Sequence, residues 1–293
     1  MTKTSRRFFI VFPLVLLFLS LFFQKECMDG VALGLKIGLE KAFPALFPAL
    51  VLSRILTAAV PRSSRKAAIF LPFLMGLACG FPVGAQTVRD LRKRDLLSRE
   101  DGEKLLVFCS NAGPSFILGV CGVGVFGSAE TGFLLLLLQW VTAFIFFLCF
   151  LLKNQKKNFP KNKTEEVSPP FHRVLTEALG GAISSFLYIL SCIVFFSFMI
   201  KLVFTLVPVN EYTKTILYLF TELTGGIFTL EKLPFSLSFP LCGAALGWSS
   251  LSVHLQTLGV LSDSNLSYRP YLLGRLTFSV LMGLGASFLQ KLL

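Results

Sequence analysis

The stretch Gly80-Phe81-Pro82-Val83-Gly84-Ala85-Gln86 sets two glycines, a proline and a glutamine at the end of an apolar run. Such a break leaves backbone N–H and C=O groups without helical partners, and hydrocarbon offers none in exchange. Irregular backbone at membrane depth survives only where protein covers it or where it lines a watery cavity. The segment therefore points to a site inside a membrane protein, of the kind built from discontinuous helices.

Composition agrees. Of 293 residues 54% are hydrophobic, 32 are Phe and only 15% are charged, which places the chain outside the soluble class. The formal charge of +12 comes from short basic clusters between apolar runs, not from one amphipathic face, so topology and not nucleic acid explains it. Seven cysteines lie mostly within apolar segments, without a C-x-x-C pair, and read as packing residues.

Lys3, Arg6 and Arg7 precede an apolar run from Phe8 to Phe23 that ends in Gln24-Lys25-Glu26-Cys27 without a small-residue cleavage site. This predicts a retained first helix with a cytoplasmic N-terminus. Residues 30–60 join an amphipathic to an apolar stretch and return to a basic turn, Arg62 to Lys66. Residues 67–82 are apolar up to the glycine-proline break, and 85–99 are polar and basic, a pattern that fits a re-entrant helical hairpin. Residues 103–126, broken at Asn111-Ala112-Gly113-Pro114-Ser115, read as a discontinuous helix, and 131–152 as a continuous span. A lysine-rich linker follows.

The same order recurs: a long apolar helix over about 174–206, a shorter run ending in Glu222-Leu223-Thr224-Gly225-Gly226, a run broken at Gly247 to Ser252, and a span over about 270–290. The fold expected is an all-α polytopic membrane protein with two inverted repeats, each holding a re-entrant hairpin and a broken transmembrane helix. The segments assigned to the cytoplasm, Arg269 and Arg275 included, hold 20 of the 28 Lys and Arg residues.

These motifs also carry a resemblance. The heptapeptide at 80–86, the later Glu103, Leu106, Phe108, Asn111, Gly113-Pro114-Ser115-Phe116 and Gly119, and Gly247-Trp248 with Ser250-Leu251-Ser252-Val253-His254 and Gln256 resemble the YlbJ-type sporulation integral membrane proteins of the nucleoside-recognition, or gate-domain, superfamily. The resemblance implies a fold related to half of a concentrative nucleoside transporter and, for the sporulation branch, movement of dipicolinate across the outer forespore membrane. The domains expected are an N-terminal transmembrane helix (1–29), a first gate-type repeat (30–152), a cytoplasmic basic linker (153–171) and a second gate-type repeat (172–293).

Candidate substrate-binding residues are Gly80, Pro82, Gly84, Gln86, Asn111, Ser115, Thr224, Gly225, Ser249, Ser250, Ser252 and Gln256. A proline between two glycines, followed at once by a charged half-helix, is hard to assign to packing, whereas Gly119, Gly122 and Gly124 read as close-packing glycines. Asn111 caps its helix or faces a cavity, and the serines at 249–252 back-bond to their own helix or face the pocket. Glu222, a carboxylate inside an apolar run, and His254 are candidates for coupling to sodium or protons. The bland alternatives are snorkelling for Glu222 and a satisfied buried imidazole for His254.

No catalytic motif is present, so no enzyme, cofactor or metal is expected. The function expected is a secondary transporter or permease for a small polar solute. Its partners are membrane lipid, the solute and a coupling ion, with no nucleic acid. Half-helices restarting at Pro82-Val83, at Gly113 to Ser115 and at Ser249-Ser250 point positive N-terminal ends inward and favour an anion. A nucleoside transporter and a non-transporting scaffold for spore assembly are the alternatives.

Overall fold

The computed structural model describes residues 3–61, 64–153 and 170–291, and all its regular elements are helices. Residues 154–169 of the expected basic linker lie outside the described residues, as do Arg62 and Ser63 of the basic turn. In chain order the α-helices are α1 (Lys3–Phe22), α2 (Gln24–Lys36), α3 (Phe43–Ala59), α4 (Arg65–Ala78), α5 (Val83–Lys93), α6 (Arg99–Cys109), α7 (Ala129–Lys153), α8 (Phe171–Leu206), α9 (Glu211–Thr221), α10 (Leu223–Thr229), α11 (Phe235–Trp248), α12 (Ser250–Leu261) and α13 (Arg269–Leu289). A π-helical stretch, Ile37–Ala42, joins α2 to α3, and another, Phe116–Val125, follows the break after α6.

Among the described residues, four helices are long and apolar enough to cross a membrane: Gln24–Ala59, Ala129–Lys153, Phe171–Leu206 and Arg269–Leu289. The shortest has 21 residues, or about 31 Å at 1.5 Å per residue, which matches a hydrocarbon core of about 30 Å. Their outer faces carry Leu273, Leu284 and Phe288 on α13 and Phe144 and Ile145 on α7, all exposed and available to lipid. The chain is an all-helical integral membrane protein.

The helices between these spans are too short to cross. α4 has 14 residues and α5 has 11, about 21 and 17 Å, and they pack on each other and on α6. Serine and asparagine start several of these short helices. The Ser64 and Ser98 hydroxyls accept from Ala67 N at 3.3 Å and Asp101 N at 3.0 Å, and the Asn210 side-chain Oδ1 accepts from Thr213 N at 2.8 Å. Helix, hairpin, interrupted pair and helix occur in that order from α2 to α7 and again from α8 to α13.

Two contacts fix the hairpin α4–α5 against α6. Gly80 adopts φ +80°, a conformation that only glycine takes without strain, and a Cβ there would run into the Gly113 backbone nitrogen. Gly76 and Gly84 both lie on the Cys109 carbonyl, where a Cβ on either would overlap the oxygen. Around this contact Phe73 stacks on Phe147 with centroids 4.2 Å apart, and Phe108 meets Phe147 edge-on at 5.8 Å. This aromatic core joins the hairpin to α7.

The three glycines expected to pack do not behave alike. Gly122 does, since a Cβ there would come within 2.7 Å of Gly132 Cα. Gly124 faces the Gly119 carbonyl and the Phe228 ring, while Gly119 itself has nothing within 4 Å of its Cβ position, so the packing expectation fails there. The cysteines are free thiols; Cys149 is exposed on a span, and Cys79 is half-buried.

Candidate functional site

Each hairpin tip sits on a helix break. In the first half, Phe81 N donates to the Asn111 carbonyl at 2.6 Å, which ties the α4–α5 tip to the gap after α6. In the second half, the Trp248 ring stacks on Phe220 at 5.4 Å, and its Nε1 donates to the Phe220 carbonyl at 3.4 Å. That contact ties the α9–α10 turn to the gap between α11 and α12.

The backbone opened at each break is satisfied by a side chain from the following long helix. At the first break, Gln139 of α7 accepts from Ala112 N at 3.1 Å through Oε1 and donates from Nε2 to the Ala112 carbonyl at 2.9 Å. One buried amide thus closes both open main-chain groups of one residue, each of which would cost about 1–3 kcal/mol unpaired. At the second break, Ser249 and Ser250 have φ +79° and +73°, two successive left-handed residues that are not glycine, at about 1–2 kcal/mol each. Arg275 of α13 reaches this point. Its Nη2 donates to Ser249 Oγ at 2.8 Å and to the Leu246 carbonyl at 3.0 Å, and its Nη1 reaches the Val107 carbonyl of α6 at 3.4 Å.

Arg275 corrects the sequence reading. Assigned there to the cytoplasmic charge bias, it is fully buried, with its guanidinium carbon 4.6 Å from the Phe278 ring centre. It lies nearly two turns inside α13, on the face turned to α6 and α11. Among the described residues no carboxylate pairs with it within 4.0 Å, and its Nε has no hydrogen-bond partner.

A polar cluster surrounds it. His254 Nδ1 lies 3.1 Å from the Tyr271 hydroxyl, Tyr268 donates to the His254 carbonyl at 3.0 Å, and the Trp248 ring meets the imidazole edge-on at 4.4 Å. Ser110 and Thr257 lie within reach of the Tyr271 phenol, yet neither hydroxyl, nor His254 Nε2, has a partner at good hydrogen-bond geometry, and all three are buried. Sequence reasoning named His254 here but missed Ser110, Thr257, Tyr268, Tyr271 and Arg275.

The other expected residues fall into separate groups. Gly80, Pro82, Gly84 and Asn111 meet at the first tip. The Asn111 amide donates to the Phe108 carbonyl at 2.7 Å, capping its own helix, while its Oδ1 is unpartnered. Gln86 turns to α3, with Nε2 near the Leu50 carbonyl at 3.4 Å and Ser53 Oγ at 3.3 Å and its Oε1 unpartnered. Ser252 accepts from Gln256 Nε2 at 3.3 Å, and both are buried on α12. Ser115 is exposed, away from the cluster.

Glu222 is buried as the N-cap of α10. Its two carboxylate oxygens accept from Thr224 N at 3.0 Å and Gly225 N at 2.6 Å. The carboxylate is therefore held by backbone and does not snorkel. Thr224 and Gly225 serve the same turn, and Gly225 lies against the Tyr218 ring. Among the described residues no group of three or more His, Cys, Asp or Glu side chains is placed to hold a metal ion.

Comparison with known proteins places the chain beside one relative. It is 26% identical over 244 residues to the sporulation integral membrane protein YlbJ of Bacillus subtilis (strain 168), a match covering 69% of this chain and 59% of that protein. The matched region thus spans about three fifths of the curated relative's length. The YlbJ-type resemblance carried by the motifs at 80–86, 103–119 and 247–256 is borne out at this level. No family model and no solved structure matches the chain.

Proposed function

We propose that this relative of a sporulation integral membrane protein is a secondary transporter or permease for a small anionic solute, a compact carboxylate of the dipicolinate kind. The observation that carries the reading is the buried polar cluster between α6, α12 and α13, whose formal charge is the single cation of Arg275. Burying an uncompensated ion costs several kcal/mol, and intramembrane charge of this kind marks substrate or ion pathways.

The electrostatics are of one sign. The carbonyl ends of α6 and α11 carry partial negative charge, and Arg275 bonds to both of them. The N-terminal ends of α5 and α12 remain as partial positive charge, which adds to the attraction for an anion. In this reading the two halves are inverted repeats, and rocking of one against the other exposes the cluster to alternate sides.

Of the two coupling candidates, both oxygens of Glu222 are engaged by backbone, whereas His254 Nε2 is unpartnered, so His254 is the one free to meet the solute or its ion. The proposed location is the bacterial cell membrane, with the N-terminus cytoplasmic, and the outer forespore membrane in a spore-forming host. The protein performs no covalent chemistry in this scheme.

The test is uptake of labelled pyridine-2,6-dicarboxylate by purified protein in liposomes, with and without proton or sodium gradients. Saturable uptake is expected. Inhibition by nucleosides with indifference to unlabelled pyridine dicarboxylates would replace this reading with the nucleoside one, and no uptake of either solute would leave a non-transporting scaffold.

A further inference from the structure

The two helix breaks are served by different chemistry. At Ala112 a neutral amide is enough, and Gln139 uses both its oxygen and its nitrogen on the main chain of one residue. At Ser249 the equivalent service falls to a guanidinium, although the acceptors there are a hydroxyl and main-chain carbonyls that neutral donors could satisfy. A buried full charge exceeds the structural need. It persists without a carboxylate partner among the described residues, and its Nε–H has no acceptor.

The unpartnered groups nearby come from three separate elements. Ser110 Oγ belongs to the end of α6, His254 Nε2 and Thr257 Oγ1 to α12, and Arg275 Nε to α13, with Tyr271 in their midst. All four residues are at most 3% exposed. Buried polar atoms are normally paired, and a group of unpaired ones calls for an explanation. When the Tyr271 hydroxyl donates to His254 Nδ1, the imidazole carries its hydrogen on Nε2, so that Nε2 is a donor in need of an acceptor.

We infer that Arg275 is a binding residue for one carboxylate of the solute, with His254 and the Ser110 and Thr257 hydroxyls as its neutral partners. The ligand class is a compact organic carboxylate carrying one negative charge at this point, since one guanidinium neutralises one carboxylate. The inference rests on the permease reading only for the route by which the anion arrives, because binding can be measured without transport.

The experiment is equilibrium binding of pyridine-2,6-dicarboxylate to detergent-solubilised full-length protein. It is read by Trp248 fluorescence in a Trp140→Phe background, which leaves Trp248 as the only tryptophan. Saturable quenching is expected, with Kd raised at least tenfold in Arg275→Gln and partly recovered in Arg275→Lys, and with helical content and monodispersity kept. Thr257→Val, which leaves the contacts of Arg275 with Leu246 and Ser249 in place, should weaken binding several-fold and covers the case in which Arg275→Gln does not fold. The inference is overturned if the protein binds no carboxylate, if a folded Arg275→Gln binds with unchanged Kd, or, where that variant does not fold, if Thr257→Val binds with unchanged Kd. Binding without liposome uptake would uphold the site and overturn the permease, whereas uptake unaffected by Arg275→Lys and Thr257→Val would overturn the site alone.

Discussion

Gln139 of α7 holds the Ala112 main chain at both its N–H and its C=O, 3.1 and 2.9 Å away, across 27 residues of sequence. The Ala112 N–H and C=O at the first helix break are thereby both paired. Gln139→Leu keeps the volume and removes both bonds, leaving two buried peptide groups unpaired at a cost of about 3 kcal/mol. The expected outcome is a lower melting temperature in detergent. Gln139→Glu keeps the shape and, in its protonated form, one acceptor and one donor, so at low pH it should be less destabilised than Gln139→Leu; equal loss in both variants would sink the argument.

Gly80→Ala tests the hairpin tip. The φ of +80° and the overlap of any Cβ with Gly113 N act together, so the cost should reach about 2 kcal/mol or more. Tip and break should separate. A free cysteine at residue 111 should then become accessible to thiol reagents that do not reach it when Gly80 is intact.

Glu222→Gln separates capping from coupling. The amide retains one good acceptor for the α10 N-terminus, so stability should fall by only about 1 kcal/mol. If uptake in liposomes keeps its dependence on an ion gradient in this variant, Glu222 is a cap alone. Loss of the dependence with retained binding would assign it to coupling.

The topology is checked by single-cysteine labelling in intact cells. Cysteines at positions 157 and 92 should both be shielded from an impermeant reagent until the membrane is opened, since both belong to the basic segments assigned to the cytoplasm. Labelling of position 157 from outside would break the inverted-repeat scheme.

Much of the architecture was legible in the sequence because glycine, proline and asparagine interrupt apolar runs where the helices break at 80–84 and 111–113, and a carboxylate and a pair of serines do so at 222 and 249–250. The polar cluster was not. Arg275 stands six residues after Arg269 near the start of an apolar run, and along the sequence such a pair looks like loop charge. Only the rotation of α13 turns it inward. Gln139 is one polar residue in a long apolar run, and its partner on another helix leaves no periodic trace. Tyr271 lies in the first turn of α13 and reads from sequence as an interface aromatic.

The contact of Gly76 and Gly84 with the Cys109 carbonyl has a further consequence for how sequences of this kind can drift. The partner of both glycines is a main-chain oxygen, which every residue type supplies. Position 109 is therefore free to change among apolar residues of similar size, while 76 and 84 are not free at all. The restriction falls on one side of a two-sided contact. Aligned relatives that keep this hairpin should hold glycine in both columns and show a mixture at the third.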